Sequence, residues 1–180
     1  MLGRHDRDPA GDGRRPLKLR RATAGDADAI GALWDESARA GFGPLLPEGH
    51  PLPEFDPGIF RALIQNPDLH VLVADDAGEA LGHTTFGKNR DVDVAADVGE
   101  IRALFVRPAA WRRGVGSALM DRALDELREL GYAEATVWSF DANARANAFY
   151  EHHGFRRDGA EKREEVWADR LEVRYRLALS

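Results

Sequence analysis

The spacing of apolar and polar positions divides the chain into predicted strands and helices. Apolar residues alternate with basic ones over residues 17–22, which is the pattern of a half-buried strand. A capping box at residues 23–26 then precedes Ile30, Leu33 and Ala38, whose spacing predicts an amphipathic helix. Five of the nine prolines fall within residues 44–57 and predict an irregular stretch, followed by a short helix over residues 57–65.

The rest of the pattern predicts alternating strands and helices. A turn at residues 75–78 joins two apolar strands, and Gly131 and Gly154 each follow a helical pattern as C-terminal caps. The predicted strands are residues 70–74, 80–87, 98–106, 133–140, a short one near 155–156 and 171–179, and the predicted helices are residues 114–130 and 143–153. This order predicts a mixed α/β fold with a largely antiparallel first half.

A glycine loop, Trp111-Arg112-Arg113-Gly114-Val115-Gly116, separates the strand at 98–106 from the helix that follows. The first amides of a helix lack partners within it, and the helix dipole favours negative charge at that end. Glycine allows close approach of a diphosphate, and two arginines add positive charge. The loop therefore predicts an anion site, although a lone Gly-x-Gly could also be an ordinary tight turn. It matches neither a P-loop nor a dinucleotide fingerprint.

Composition and charge remove several functional classes. The 180 residues include no cysteine, which excludes disulfides, thiolate zinc sites and a cysteine nucleophile. A net charge of −6 argues against nucleic-acid binding, and no apolar run is long enough to span a membrane. Without a secretory signal pattern, a cytoplasmic location is expected. Residues 1–15 are expected to be a disordered tail, and residues 16–180 a single domain.

A second motif, downstream of the glycine loop, helps to identify the anion that the loop would bind. It contains Asn143, Ala146, Phe149, Tyr150, Gly154 and Phe155. With the glycine loop, and with Glu100-Ile101 upstream, the sequence resembles the GNAT superfamily of N-acetyltransferases, strongly over residues 98–155 and weakly elsewhere. The resemblance implies a GNAT-like acyl-CoA N-acyltransferase fold, with a splayed central sheet flanked by about four helices. It also implies acetyl-CoA as co-substrate and no metal.

The resemblance also implies which residues hold the cofactor. Amides of residues 113–118 would bind the diphosphate, residues 104–106 would pair with the pantetheine arm, and the thioester would lie in a gap near residues 137–139. Asn143 would contact the pantetheine, act as a helix N-cap, or do both. The implied cofactor-binding residues are Leu104, Phe105, Val106, Arg112, Arg113, Gly114, Val115, Gly116, Ser117, Ala118, Asn143, Ala146 and Tyr150.

One position departs from the family pattern. Trp111 stands where members of the family carry Gln or Arg, and Arg112 could compensate for the lost polar side chain. Because backbone amides are the main diphosphate ligands in the family, replacing Trp111 by Arg is expected to preserve or improve cofactor affinity.

Two residues are candidates for the chemistry. Tyr150 is the candidate general acid for the departing thiolate, or else a core tyrosine beside Phe149. Glu100 is the candidate general base for the amine, or else a solvated glutamate on a strand flank. His83 is a rival base, although a lone strand histidine more often has a structural role. No third ligand accompanies His152 and His153, so no metal site is predicted.

The acceptor is expected to contact residues 41–57 and the acidic loop with Asp91, Asp93 and Asp97, although solvated loops often carry such charges. We expect Trp34, Trp138 and Trp167 to pack in the core or at its edge, and this is favoured over a cage of aromatic rings around the substrate. The predicted reaction moves an acetyl group to a primary amine by direct attack in a ternary complex. The alternatives are a non-catalytic acyl-CoA sensor, acetylation of a protein N-terminus or lysine, and transfer of a longer acyl chain. The expected partner is a small-molecule or peptide amine. The sequence does not determine the oligomeric state, and a homodimer is possible.

Overall fold

The computed structural model describes residues 17–54 and 56–179, so the tail expected at residues 1–15 lies outside the described residues. The strands are β1 (Lys18–Arg21), β2 (Leu69–Asp76), β3 (Glu79–Lys88), β4 (Val98–Val106), β5 (Glu134–Phe140), β6 (Arg156–Lys162) and β7 (Glu172–Ala178). The α-helices are α1 (Ala27–Gly41), α2 (Pro57–Gln65), α3 (Val115–Glu129) and α4 (Ala144–His152). Within the described ranges, no helix is long and apolar enough to cross a membrane.

The strands form one mixed sheet in the order β1-β2-β3-β4-β5-β7-β6. Every neighbouring pair is antiparallel except β4 and β5, which run parallel at the centre. This arrangement confirms the predicted mixed α/β fold with an antiparallel first half. Strand β6 is longer than the strand predicted near residues 155–156. The sequence pattern missed most of it, because β6 is mostly exposed and carries almost no apolar residues.

The central pair of strands separates part of the way along its length. Pairing between β4 and β5 runs from Val98↔Glu134 to Ile101↔Val137 and covers four residue pairs. Directly beyond it, the register of β3 against β4 shifts, and Arg102 is the extra residue of a β-bulge. The strands therefore diverge near Val137, as predicted, and leave two facing strand edges unpaired with each other.

Helices cover both faces of the sheet. On one face, α3 packs the fully buried Leu119, Met120 and Leu127 against the sheet in the larger hydrophobic core. On the other face, Ile30 of α1 packs with Val71 and Val73 of β2 in a smaller cluster. The opening between β4 and β5 lies between these two layers, so side chains from both faces can reach it.

Candidate active site

A single cleft of about 540 Å³ lies where β4 and β5 diverge. It is lined by the glycine loop and the start of α3 and by the facing parts of the two strands. Residues from α1, β7 and the segment between β6 and β7 line it as well. The sequence motifs on either side of the opening therefore meet in one continuous site.

The start of α3 has the geometry of an anion site. Gly114 precedes the helix with φ 81°, a left-handed conformation that suits glycine. The first helical hydrogen bond in α3 runs from the Ala118 amide to the Gly114 carbonyl (2.9 Å). The amides of Val115, Gly116 and Ser117 precede that bond and are the ones available to an anion. Because the Ala118 amide already donates to the Gly114 carbonyl, it is not available to bind the diphosphate.

Trp111 holds the glycine loop against the end of β4. Its indole Nε1 donates to the Val106 carbonyl (2.7 Å), and the guanidinium of Arg145 lies 3.5 Å from the ring centroid. Arg145 comes from the first turn of α4 and also lines the cleft. The positive charge at this end therefore comes from α4 as well as from Arg112, a contribution that the sequence pattern did not reveal.

Asn143 fulfils one of its two predicted roles in the described contacts. Its side-chain oxygen accepts a hydrogen bond from the Ala146 amide (3.2 Å), which makes it the N-cap of α4. The residue is buried and lines the cleft beside Ala146. The cap thus fixes the start of α4 at the wall of the site.

Tyr150, on α4, lies in the wall of the cleft. It is buried and packs edge-on against Phe149 and Phe155. Burial raises the pKa of its phenol to about 12, so the group stays protonated at neutral pH. A buried, protonated phenol on this wall is suited to donate a proton to a departing anion.

Glu100 lies in a different environment from the one a base requires. Its side chain is 1% exposed, and its carboxylate accepts hydrogen bonds from the Arg90 side chain at 2.6–3.2 Å. The Arg90 amide (3.1 Å) and the Arg102 Nε (3.5 Å) also approach it. Among the described residues, Glu100 is not part of the cleft wall. These contacts favour a role in holding the two arginines, both of which do line the cleft.

His83 is enclosed in the apolar layer between β3 and the helices. It is 0% exposed, stacks on Phe105 at 5.6 Å between ring centroids and meets Phe60 edge-on. Neither ring nitrogen has a hydrogen-bond partner within the described ranges. Burial lowers the pKa of the imidazole to about 4. His83 is also absent from the cleft wall as described, which removes the main argument for it as a rival base.

The predicted acceptor loops contribute less than expected. From the stretch 41–57, Gly41 and Phe42 line the cleft, whereas residues 50–54 border a separate hollow beside Asp35 and Arg39. Two carboxylates of the acidic loop are bound by another side chain. Asp91 and Asp93 accept hydrogen bonds from the buried Arg174 at 2.8–2.9 Å.

Aromatic and charged side chains from separate segments of the chain also line the cleft. Trp34, Trp138 and Trp167, expected mainly to pack, all line it together with Phe42, Phe105 and Phe140. Lys162, Glu164 and Glu172 are the charged residues that β6, β7 and the segment between them add to the cleft wall. Residues from α1, β5 and the β6–β7 segment meet here only in the folded chain, so no local motif marks them.

The predicted cofactor residues divide by position. Those in the cleft wall are Leu104, Phe105, Val106, Arg112, Gly114, Gly116, Ser117, Asn143, Ala146 and Tyr150. Arg113, Val115 and Ala118 lie beside the wall, and the Val115 side chain is buried in the core. No group of three or more potential metal ligands occurs within residues 17–54 and 56–179.

A helix start that can bind a phosphate, a split sheet and a protonated phenol in one cleft define the site of a group-transfer enzyme. Comparison with known proteins gives the family. The model of the acetyltransferase (GNAT) family matches residues 32–155, and the chain belongs to this family of N-acetyltransferases.

Individual relatives agree with this assignment. A mycothiol acetyltransferase from Beutenbergia cavernae is 46% identical over 90 residues, which cover 50% of this chain and 29% of that longer protein. An aminoalkylphosphonate N-acetyltransferase from Salmonella typhimurium is 31% identical over 140 residues, covering 77% of this chain and 84% of the relative. A structure from Salmonella typhimurium with its cofactor acetyl-CoA has a TM-score of 0.74 at 20% identity, over 92% of this chain and 95% of that one, and shows the shared fold.

Proposed function

We propose that the protein transfers the acetyl group of acetyl-CoA to a primary amine in a ternary complex. The observation that carries the proposal is the single cleft, which joins the start of α3, the diverging strands β4 and β5, and Tyr150. The proposal takes residues 16–180 as one catalytic domain acting in the cytoplasm, on a small-molecule or peptide amine.

The cleft fits acetyl-CoA by its chemistry. The amides of Val115, Gly116 and Ser117, with Arg112 and Arg145 nearby, would hold the diphosphate. The free edge of β4 over residues 104–106 would pair with the amides of the pantetheine arm, as an added strand would. Asn143 and Ala146 would border that arm, so the thioester would reach the point where the strands diverge.

The reaction needs one proton accepted and one donated. The nitrogen of a neutral amine attacks the thioester carbonyl carbon, a C–N bond forms, and collapse of the intermediate breaks the C–S bond. Tyr150 would protonate the departing thiolate and recover a proton from the acetylated nitrogen. Its high pKa keeps the phenol in the donating form at neutral pH.

The predicted base, Glu100, is not retained in the proposal. Its carboxylate is bound by Arg90 and has no place in the cleft wall of the described structure. We propose instead that Glu100 positions the side chains of Arg90 and Arg102 at the cleft, while another carboxylate or water receives the first amine proton.

A thiol-release assay tests the proposed function. Acetyl-CoA is incubated with the protein and with separate amines that include alkylamines, arylalkylamines, polyamines, amino acids and a lysine peptide. Release of CoA with formation of an N-acetyl product by at least one amine is expected. Acetyl-CoA should also raise the melting temperature, because it binds the folded state. Binding without turnover across the whole panel would favour a sensor, and absence of both would contradict the proposal.

A further inference from the structure

The wall of the cleft carries a chain of aromatic rings from α1, β4, β5 and the segment between β6 and β7. Phe42 meets Phe105, Phe140 and Trp167 edge-on, with ring centroids 5.7, 5.2 and 5.4 Å apart. Trp34 extends the chain at 6.3 Å from Phe105. All of these residues line the cleft. In the proposed function the cofactor occupies the glycine loop and the free edge of β4, and these rings are an apolar surface available to the second substrate.

Glu172 lies at the edge of this aromatic surface. It is the cross-strand partner of Phe140, so the two side chains project from the same face of the sheet. The residue is 8% exposed and lines the cleft. Its Oε1 is buried without a hydrogen-bond partner among the described residues. Leaving a buried acceptor without a donor is costly, and a bound cation would remove that cost.

The two neighbouring cations make their shorter ion pairs with other carboxylates. Lys162 binds Glu164 at 3.1 Å and is 3.9 Å from the other oxygen of Glu172. Arg90 is bound to Glu100. Of the acidic side chains in the described cleft wall, Glu172 is therefore the buried one with an oxygen left to accept a hydrogen bond.

We propose that Glu172 binds the ammonium group of the acceptor and that the aromatic surface binds its body, so that the acceptor is a primary amine carried on an aromatic or other flat apolar group. This inference rests on the proposed function and specifies its substrate class. On binding, an ammonium N–H proton passes to the Glu172 carboxylate and leaves a neutral amine as nucleophile. The proton then leaves Glu172 for solvent.

Electrostatics agrees with this role. Burial raises the pKa of Glu172, with Lys162 and Arg90 opposing the shift and Glu164 adding to it. A carboxyl with a raised pKa accepts a proton from the substrate more readily than an exposed one. It must be ionised to act, so activity should fall as the pH falls through that raised pKa.

The test compares 2-phenylethylamine with n-butylamine and spermidine in the thiol-release assay. The wild-type protein should show at least a tenfold higher kcat/KM for 2-phenylethylamine. Glu172→Gln should lower kcat/KM for that amine at least a hundredfold and remove the acidic limb of its pH profile. Glu172→Asp should restore part of the activity. Glu165→Gln is the matched control, because Glu165 is exposed on the adjacent turn and lies outside the cleft wall.

The outcomes separate this inference from the proposed function. Equal activity of Glu172→Gln and the wild type, or a preference for n-butylamine or spermidine, would overturn the inference while leaving acetyl transfer in place. A wild-type protein that acetylates no amine would overturn both. Melting temperature and acetyl-CoA affinity of each variant show whether a lost activity reflects lost folding.

Discussion

The guanidinium of Arg145 lies 3.5 Å from the ring centroid of Trp111, so a residue of α4 stacks on the loop that begins α3. The stack joins the two sequence motifs of the family across the cleft. Cation–π contacts contribute about 0.5–1 kcal/mol at exposed sites. Its larger effect is to hold a positive charge beside the amides that would bind the diphosphate.

Replacing Arg145 should weaken cofactor binding. Arg145→Gln is expected to raise the Kd of acetyl-CoA by about tenfold or more, since hydrogen bonds to charged groups contribute roughly 1.5–3 kcal/mol. Isothermal titration calorimetry measures the change. Arg39→Gln is the control, because Arg39 pairs with Asp35 on the exposed face of α1. Equal affinities of the two variants would remove Arg145 from the cofactor site.

Trp111→Arg is expected to weaken acetyl-CoA binding several-fold, which reverses the expectation from the family pattern. The substitution removes the bond from Nε1 to the Val106 carbonyl and places a second guanidinium against Arg145. Trp111→Phe keeps a ring for the stack and loses only the bond, so its Kd should fall between those of wild type and Trp111→Arg. Unchanged or tighter binding by Trp111→Arg would support the original expectation.

Tyr150→Phe should lower kcat on the order of a hundredfold and leave the Kd of acetyl-CoA unchanged, because it removes a proton donor and keeps the ring. With a pKa of about 12, the phenol of Tyr150 loses its proton only in strong base. The wild-type rate should therefore show no alkaline limb from this group below about pH 11. Tyr132→Phe, outside the cleft wall, is the control. A wild-type kcat in Tyr150→Phe would exclude the acid role.

Glu100→Gln separates a base from a positioning residue. If Glu100 holds Arg90 and Arg102, the variant should lose about 1–3 kcal/mol of unfolding free energy and keep the shape of the pH–rate profile. Urea denaturation measures the loss, and a cycle with Arg90→Met should show that the two changes are coupled. A base would behave differently, with wild-type stability, a large fall in kcat and no acidic limb.

His83 should make stability depend on pH. Its folded-state pKa of about 4 lies below the ordinary 6.5, so the unfolded chain takes up the proton first. The free energy of unfolding should fall as the pH falls from about 6.5 towards 4. His83→Phe, which preserves a ring against Phe105, should flatten that part of the curve. His152→Gln on the exposed face of α4 should leave it unchanged. A curve that His83→Phe does not alter would contradict the assigned environment.

The sequence predicted those features that local patterns encode. The period of apolar residues predicted nearly every helix and strand, and the loop Gly114–Gly116 with Asn143 and Tyr150 indicated the family. Their neighbours in sequence form one part of the cleft wall. These motifs are readable because their function depends on neighbouring backbone groups and a fixed helical spacing.

The features that the sequence did not predict depend on contacts between distant segments. The sequence around Glu100 indicates a free carboxylate, but in the folded chain Arg90 binds it. The sequence of the acidic loop indicates carboxylates available to an amine, but in the folded chain Arg174 binds two of them. No sequence pattern marks Glu172, because the role proposed for it depends on its pairing with Phe140 and on a cleft that only the folded sheet creates.

The short ladder between β4 and β5 has a consequence for how the molecule holds together. Strands β1 to β4 come from one continuous stretch of chain and β5 to β7 from the next, and four residue pairs join the two halves of the sheet. A ligand that contacts both free edges would act as a removable cross-link between them. Amide hydrogen exchange in residues 103–106 and 138–140 should then slow sharply when that ligand binds. The rigidity of the centre of the sheet would therefore depend on whether the ligand is bound.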